Sequence, residues 1–377
     1  MATRSNRRLK WQPINSARRS PSSDESRGRG TGRHSPNGQA LHKGVLPGFE
    51  TPGTFAERPR SGKKPGSAER PRSGKKPGSA EPAPLPSKPK SQENRDMSIR
   101  NITLNSGHTI PQLGFGTYKI TGEDTQRTVE HALSIGYRHI DTAQMYGNEA
   151  EVGAAIAASP VPREELFVTT KLDNGNHAPD RARESFAESL TKLGLDYVDL
   201  FLIHWPLPNL YGTGYLAAWK TMEEFVEDGR ARSIGVSNFE RDHLQLLIDE
   251  SGTVPAVNQI ELHPLFQNRE VAQFCRDNGI AVEAWAPLVR GAIADNPVVA
   301  NIASTHGCTP AQAVLAWHFA KGHIVFPKSV TPARIAENFA SADVALTPAD
   351  VEAIDSLDRG EAGRTGYHPE TMERAAR

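Results

Sequence analysis

The sequence predicts an α/β protein, a (β/α)8 TIM barrel with an N-terminal β-hairpin cap, preceded by a long basic tail. From Leu113 onward, short apolar stretches alternate with helical patterns of about a dozen residues, which is typical of parallel βαβ units. Eight such units fill roughly 280 residues, the size of a (β/α)8 barrel. A doubly wound open sheet is the alternative, but the Gly114-Phe115-Gly116 turn lacks the third glycine of a dinucleotide-binding turn.

The individual elements follow the chain in order. Residues 102–110 place apolar side chains on both sides of a polar turn, which predicts a hairpin that covers the bottom of the barrel. Pro332 suits a first helical turn, because its missing N–H costs nothing there. The predicted strands are 113–115, 139–141, 166–170, 198–204, 233–237, 257–261, 280–285 and 324–326. The predicted helices are 124–134, 149–157, 182–193, 216–227, 242–248, 269–278, 298–306 with 310–320, and 332–340.

The first 96 residues differ in composition from the rest of the chain. They hold 21 Lys and Arg against 8 Asp and Glu, whereas residues 97–377 hold 23 against 36. The neutral whole therefore combines a basic tail with an acidic body. The tail is rich in Ser, Gly, Pro and Arg and poor in large apolar residues, so we expect it to be disordered. Its 12-residue segment 56–67 recurs unchanged as 68–79, a repeat too short and polar for a solenoid unit.

Three interpretations of this tail stay open. It could be a basic arm that touches nucleic acid or an acidic surface. It could equally be a solvated tail, or upstream sequence that is not translated, since Met97 opens the patterned part of the chain. The last two are favoured, and a nucleic-acid partner is therefore not expected. We place the domain boundary here, with residues 1–96 as tail and 97–377 as barrel.

Composition also bears on the compartment. Cys275 and Cys308 are too few for a disulfide framework and suit a reducing cytoplasm. No apolar run is long enough to span a membrane, and the N-terminus has no apolar h-region of a secretory signal. These features predict a cytoplasmic protein without a membrane partner.

Four titratable side chains follow neighbouring predicted strands. Asp141 and Tyr146 come after the second strand, Lys171 after the third and His204 after the fourth. In a barrel, the residues past the carboxyl ends of the strands share one mouth. Each alone has a structural explanation, Lys171 as a solvated strand end and His204 as a buried histidine beside Trp205. Together they converge on one cavity.

This group of side chains suits proton transfer to an oxygen. A tyrosine titrates near ~10, too high for free proton exchange at pH 7, and a nearby ammonium lowers that pKa. Asp141 could hold Lys171 charged and in place. His204 could orient a carbonyl oxygen or pass a proton to it.

The sequence resembles the aldo-keto reductase family over nearly all of residues 98–370. The motifs that carry the resemblance, in the family's order, are Gly116-Thr117-Tyr118, the stretch 141–149, Thr170-Lys171-Leu172, Ile203-His204-Trp205-Pro206, Gly235-Val236-Ser237-Asn238-Phe239, Asn258-Gln259-Ile260-Glu261-Leu262-His263-Pro264 and Phe326-Pro327-Lys328-Ser329. The resemblance implies a catalytic tetrad of Asp141, Tyr146, Lys171 and His204. It also implies hydride transfer from NADPH to an aldehyde or ketone without a metal, with Tyr146 as general acid.

The resemblance also implies the cofactor and substrate residues. Lys328, Ser329 and Arg334 bracket a predicted helix start, a natural phosphate site, and match the family's grip on the 2′-phosphate of NADPH. Without the family, Trp285 would be read as a core tryptophan. For the basic group, a solvated helix start is the alternative, but it is a weak one in an acidic body. The cofactor residues implied are Gly116, Thr117, Tyr118, Asp141, Ser237, Asn238, Gln259, Trp285, Pro287, Leu288, Gly291, Lys328, Ser329, Val330, Arg334, Glu337 and Asn338. The substrate residues implied are Tyr118, Tyr146, His204 and Trp205.

The chain also departs from the family. Many relatives carry a tryptophan soon after the catalytic lysine, where this chain runs Lys171-Leu172-Asp173-Asn174-Gly175-Asn176, so the pocket wall there is more polar or more open. The resemblance is greatest to bacterial 2,5-diketo-D-gluconate reductase-like members, which reduce diketo sugar acids and small dicarbonyls. The expected partner is a small carbonyl substrate, and the expected state is a monomer. An NADPH-binding regulatory or structural subunit without turnover is the alternative function, and an enzyme tethered to nucleic acid by the basic arm is a third.

Overall fold

The computed structural model describes residues 99–374, so the basic tail, its repeat and the last three residues lie outside the described part. Ten strands are present in this part of the chain. They are β1 Asn101–Thr103, β2 Thr109–Pro111, β3 Phe115–Gly116, β4 His139–Asp141, β5 Phe167–Leu172, β6 Val198–Ile203, β7 Ala231–Ser237, β8 Val257–Glu261, β9 Ala281–Trp285 and β10 Ile324–Val325.

Strands β3 to β10 form one parallel sheet in which spatial order equals chain order. The sheet closes on itself, because Leu113 pairs with Val325 across the seam between its first and last strands. Two hydrogen bonds make this closure, Gly114 N–H to Val325 O at 2.7 Å and Val325 N–H to Gln112 O at 2.9 Å. The predicted (β/α)8 barrel is thus confirmed, and the open doubly wound sheet is wrong.

Helices follow the barrel strands and pack on the outside of the sheet. Several begin at a proline, including α3, α9 and α10, where the absent N–H leaves no hydrogen bond unmade. The helices are α1 Glu123–Ile135, α2 Glu149–Ala158, α3 Pro179–Leu193, α4 Pro208–Tyr211, α5 Gly214–Glu227, α6 Arg241–Ser251, α7 Arg269–Asp277, α8 Pro297–His306, α9 Pro310–Ala320, α10 Pro332–Phe339 and α11 Pro348–Asp355. None of those within residues 99–374 is long and apolar enough to cross a membrane.

The structure departs from the predicted elements in a few places. β5 runs two residues further than expected because its pairing with β6 continues to Leu172 and Ile203, so Lys171 lies within the strand. Gln259 likewise lies in the middle of β8, two residues before the strand end. Helices α4 and α11 were not predicted. α4 is a single turn after Leu207, which has a left-handed backbone, and is too short to show a period.

The hairpin of β1 and β2 covers the amino-terminal end of the barrel, as predicted. Leu104 and Ile110 are buried against apolar side chains at the lower ends of the strands, among them Leu200 and Val257. Asn105 Nδ2 donates to Pro255 O at 2.9 Å and so ties the hairpin turn to the loop before β8. The lower end of the barrel is therefore apolar and closed, and the polar side chains of the interior lie above it.

Candidate active site

Asp141 and Lys171 form a buried ion pair in the upper part of the barrel. Lys171 Nζ lies 2.8 Å from Asp141 Oδ1 and 2.7 Å from Oδ2, and it also donates to Thr142 O at 2.8 Å. All three hydrogens of the ammonium therefore have an acceptor. Burial raises the pKa of Asp141, while the Lys171 charge and hydrogen bonds from Lys171 and Gln259 oppose that rise. The pair places one fixed positive charge at the barrel mouth.

Tyr146 lies beside this charge. Its hydroxyl oxygen is 3.5 Å from Lys171 Nζ. Tyr146 ends a short 3-10 turn, Gln144–Tyr146, in the loop that follows β4. Burial raises the pKa of Tyr146 well above its ordinary value, and the negative charge of Asp141 adds to the rise. The lowered pKa expected from the sequence is wrong, since the ammonium bonds most closely to Asp141. At neutral pH the phenol is accordingly protonated.

His204 completes the group from the end of β6. Its ring centroid is 5.8 Å from that of Tyr146 in an edge-to-face arrangement. Burial lowers the pKa of His204 well below its ordinary value, and the positive charge of Lys171 lowers it further. The imidazole is therefore neutral at pH 7 and can donate one hydrogen bond without carrying charge. The structure thus brings all four predicted tetrad residues together.

Side chains from β7, β8 and β9 line the other side of the mouth. Gln259 Nε2 donates to Asp141 Oδ2 at 2.9 Å and to Glu283 Oε2 at 2.8 Å, which leaves its oxygen as an acceptor. Asn238 has a left-handed backbone, with φ 63°, and its Nδ2 donates to His204 O at 2.8 Å. Trp285 Nε1 donates to Asn238 Oδ1 at 2.8 Å. These contacts hold two amide groups and an indole ring in fixed orientations.

The loop after β9 has a strained backbone. Ala286, Val289 and Arg290 adopt positive φ between 49° and 53°, a region that side chains disfavour, and Gly291 has φ 97°. Such strain is typical of ligand clamps held in place by their surroundings. Pro287 and Leu288 lie in the same loop, where the sequence predicted contacts to a pyrophosphate. The loop faces the same end of the barrel as the tetrad, because it follows the carboxyl end of a strand.

The start of α10 is a cationic surface. Lys328 and Arg334 are exposed, and neither forms an ion pair with another residue in the described range 99–374. Ser329 Oγ accepts a hydrogen bond from Thr331 N–H at 3.1 Å. The positive end of the helix dipole lies at the same place. This surface fits a dianionic phosphate.

The four side chains match the geometry expected of a carbonyl reductase, and comparisons with known proteins agree. The aldo/keto reductase family model matches residues 112–359. An aldo-keto reductase of Mycolicibacterium smegmatis is 50% identical over 271 residues, 72% of this chain and 97% of the relative. The chain belongs to the aldo/keto reductase family.

Two further relatives of this aldo/keto reductase bear on its chemistry. Methylglyoxal reductase DkgA of Escherichia coli K12 is 46% identical over 271 residues, 71% of this chain and 96% of the relative. A mutant of Gox0644 solved in complex with NADPH superposes with a TM-score of 0.70 at 40% identity, over 74% of this chain and all of that chain. The chain is accordingly an oxidoreductase that uses NADPH to reduce carbonyl compounds.

Some of the predicted site residues of this reductase have structural partners in the described part. A Cβ on Gly116 would lie 2.5 Å from Phe326 O, so glycine is required for β3 to pack there. Thr117 is buried and donates to Asp141 O at 3.0 Å. Glu337 Oε1 accepts from Thr309 Oγ1 at 2.6 Å, and Asn338 is buried beside it in α10. Val330, by contrast, is exposed next to the phosphate surface.

Another part of the mouth is aromatic. Tyr118 is half exposed, and its ring centroid lies 5.1 Å from that of Tyr146. Trp205 packs with Leu207 and Met372, so the carboxyl-terminal segment of the described chain forms part of the wall. Asp173 follows β5 directly, and burial raises the pKa of its carboxyl.

Sequence reasoning missed two buried glutamates in this reductase. Glu261 accepts from Thr365 N–H, Thr365 Oγ1 and Gly366 N–H at 2.6 to 2.9 Å, which attaches the carboxyl-terminal segment over Trp285. A Cβ on Gly366 would lie 2.4 Å from the indole, so only glycine fits. Glu283 is fully buried below Gln259. The available signal was a charged residue within each of two fully or largely buried strands, of which only β9 is otherwise apolar.

Proposed function

We propose that the enzyme reduces small aldehydes and ketones, with Tyr146 as the proton donor. The observation that carries this proposal is the phenol oxygen 3.5 Å from the ammonium of Lys171, which Asp141 holds with both carboxylate oxygens. A protonated phenol beside a fixed cation is suited to give its proton to an oxygen on which negative charge develops.

The side chains have distinct roles in this scheme. Tyr146 protonates the carbonyl oxygen, and the positive charge of Lys171 stabilises the phenolate that remains. His204 is neutral and donates a hydrogen bond that orients the carbonyl oxygen toward the phenol. Asp141 keeps the ammonium charged and in place. NADPH, when bound, supplies the hydride.

The residues that would hold NADPH come from the other half of the mouth. Gln259, Asn238 and Ser237 present amide and hydroxyl groups that suit the carboxamide of a nicotinamide, and the ring of Trp285 offers a stacking surface. The strained loop with Pro287, Leu288 and Gly291 would cover the pyrophosphate. The contact between Gln259 and the carboxamide is supported by the side-chain oxygen of Gln259, which accepts no hydrogen bond from the described residues.

The start of α10 supports a preference for NADPH over NADH. Lys328, Ser329, Val330 and Arg334 would surround the 2′-phosphate, with Arg334 able to make a bidentate contact. Asn338 and the partly exposed Glu337 would lie at the adenine. Because the two cations have no acidic partner in residues 99–374, their charge is available to a phosphate.

We propose a small dicarbonyl or a diketo sugar acid as the substrate. The support is the similarity to methylglyoxal reductase DkgA, of which this chain covers 96%. Tyr118, Tyr146, His204 and Trp205 would contact the substrate. This chain lacks the tryptophan that many relatives carry soon after the lysine and has polar residues such as Asp173 there. A large apolar wall is therefore missing, which leaves room for a hydrated, polar compound.

The test follows NADPH consumption with a panel of aldehydes, ketones, methylglyoxal and diketo acids, for wild type and Tyr146→Phe. We expect the variant to lose about 10²- to 10⁴-fold in kcat, the usual contribution of a general acid, while NADPH still binds. Equal rates would overturn the role of Tyr146. Tight NADPH binding without turnover of any carbonyl by the wild type would favour the regulatory subunit instead.

We further propose that the enzyme is a cytoplasmic monomer that does not act on nucleic acid. The two cysteines, which are free and of which Cys275 is buried, support the cytoplasmic location. Size-exclusion chromatography with light scattering tests the monomer. DNA binding at low salt by the full chain, lost on deletion of residues 1–96, would instead support the tethered enzyme.

A further inference from the structure

A column of polar side chains runs down the barrel interior beneath the proposed active site. From the mouth it passes from Tyr146 and Lys171 to Asp141, then through Gln259 to Glu283. Gln259 and Glu283 are register partners on β8 and β9, so their side chains point into the barrel at the same height. Glu283 has no part in the proton transfer proposed above.

Gln259 occupies the central place in this column. Both hydrogens of its amide nitrogen are used, one by Asp141 and one by Glu283. The Asp141 carboxylate can only accept hydrogen bonds, so the amide nitrogen must face downward and the amide oxygen must face the mouth. Two acceptors on one nitrogen fix the orientation of this amide more firmly than one acceptor could.

We propose that Glu283 is a positioning residue, which acts through Gln259 by holding its amide oxygen toward the nicotinamide carboxamide. This inference rests on the proposed function, because it assumes that Gln259 meets that carboxamide. The carboxamide has an N–H group to donate, and an amide oxygen fixed in advance binds it without a further ordering cost.

The other oxygen of Glu283 agrees with this role. Oε1 is buried and has no hydrogen-bond partner in the described range, and His139 Nε2 lies 3.9 Å from it. His139 Nδ1 lies 3.3 Å from Pro111 O, a carbonyl that can only accept, so Nδ1 carries the hydrogen and Nε2 is an acceptor, which the Thr169 hydroxyl also approaches at 3.4 Å. A proton on Oε1 of Glu283 would therefore face an acceptor, whereas a bare carboxylate would face a lone pair.

The surroundings determine the charge of Glu283. Asp141 and His139 face it from β4 and Lys171 from β5, whereas β10 presents the apolar Ile324 and Val325. Burial raises the pKa of Glu283 to about 8, and the charge of Asp141 adds to the rise. With Glu283 neutral, the column as a whole has no net charge, because the charges of Asp141 and Lys171 cancel. Ionisation adds one negative charge below the nicotinamide site, which favours the positive ring of NADP⁺ over NADPH.

The experiment measures the Kd of NADPH and of NADP⁺ by quenching of tryptophan fluorescence in the full chain, from pH 6 to 9.5. The variants are Glu283→Met, Glu283→Gln, Gln259→Leu and the double variant Glu283→Met with Gln259→Leu. Glu149→Gln is the matched control. Glu149 is also a buried glutamate, but it bonds to Thr170 and Ser189 rather than to Gln259.

We expect Glu283→Met to weaken NADPH binding about three- to tenfold, as for loss of one hydrogen bond. The same change should have no effect in the Gln259→Leu background. In the wild type, the Kd of NADPH should rise relative to that of NADP⁺ above about pH 8. Glu283→Gln, which keeps the acceptor but cannot ionise, should restore affinity and abolish this rise. Glu149→Gln should behave as the wild type in both respects.

Several outcomes would overturn the inference. They are unchanged NADPH affinity in Glu283→Met, an equal loss with and without Gln259, and the same pH dependence in Glu283→Gln as in the wild type. If Glu283→Met does not fold by circular dichroism, the pH dependence of Glu283→Gln decides. A wild type that reduces carbonyls with indistinguishable Glu283 variants overturns this inference alone. A wild type that binds NADPH without turnover overturns only the proposed function, and one that does not bind NADPH overturns both.

Discussion

Two glutamates on neighbouring strands, Glu261 and Glu283, both have almost no exposed surface. Their pKa values nevertheless shift in opposite directions. Burial raises the pKa of both, but Glu261 receives hydrogen bonds from His263, Thr365 and Gly366, which together lower its pKa below the ordinary value. Glu283 receives one, from Gln259, and its pKa rises to about 8. Burial, the negative charge of Asp141 and the small number of donors together make Glu283 a carboxylic acid that stays neutral, whereas several donors make Glu261 a carboxylate that anchors a segment.

The difference corresponds to two kinds of region. Around Glu261, backbone N–H groups of the carboxyl-terminal segment supply the donors, so the charge holds together pieces of chain that are about 100 residues apart. Around Glu283, the donors belong to the catalytic column, and Asp141 already uses most of them. A second charge there would have no cation of its own, since Lys171 is bound to Asp141.

We expect the largest effect when the ammonium group of Lys171 is removed. Lys171→Met would leave Asp141 as a second buried carboxyl without a cation, and loss of one partner of a buried pair costs about 3–5 kcal/mol of stability. Carbonyl reduction should fall by at least about 10²-fold, because the phenolate of Tyr146 would have no positive charge beside it. Chemical denaturation and NADPH consumption measure the two losses. Lys321→Met, which removes a partly exposed pair with Asp355, is the control and should change stability by about 1 kcal/mol or less.

A smaller effect is expected at the anchor of the carboxyl-terminal segment. Glu261→Gln keeps the shape but loses the charge that accepts from Thr365 and Gly366, so unfolding should become easier by about 1.5–3 kcal/mol at pH 7. Because the folded pKa of Glu261 is lowered, its contribution is present above the unfolded value of 4.5 and is lost as the pH falls through the folded pKa. Denaturation at pH 7 and pH 3 should therefore show a difference between variant and wild type that shrinks at the lower pH. A difference that stays constant with pH would contradict the role of the charge.

Glu283→Gln should show the opposite dependence on pH. With its folded pKa raised to about 8, Glu283 keeps its proton in the folded state where the unfolded chain has lost it. Below the unfolded pKa of 4.5, Glu283 does not lower the stability of the wild type. The stability falls as the pH rises from 4.5 to about 8, and above about pH 8 the loss is complete. The fall amounts to at most about 1.4 kcal/mol per pH unit. Thermal melts at pH 5 and pH 8 should show the variant gaining on the wild type at the higher pH, and the reverse order would contradict a neutral Glu283.

The same contrast explains what the sequence could reveal. Strand and helix order follow from alternating patterns, and Asp141, Tyr146, Lys171 and His204 were found because polar side chains at successive strand ends must converge in a barrel. The direction of the Tyr146 pKa could not be found, because it depends on how closely Asp141 takes up the ammonium. Glu261 and Glu283 were missed because, apart from His263 beside Glu261, their donors come from residues 24 to 105 positions away in the chain. Only the closed fold brings those groups together.

The smallest expected effect lies at Asp173, a carboxylate that is only partly buried. Burial raises its pKa, while a hydrogen bond from Asn174 N–H at 2.7 Å opposes the rise. The carboxylate form of Asp173 should disfavour an anionic diketo acid relative to neutral methylglyoxal. Because partly exposed charges interact by about 1 kcal/mol or less, Asp173→Asn should raise kcat/KM for the acid relative to methylglyoxal by no more than about fivefold. Asp180→Asn, a fully exposed aspartate on α3, is the control. An unchanged ratio of the two kcat/KM values would mean that Asp173 does not face the substrate. The lack of a tryptophan after Lys171 would then alter only the size of the pocket.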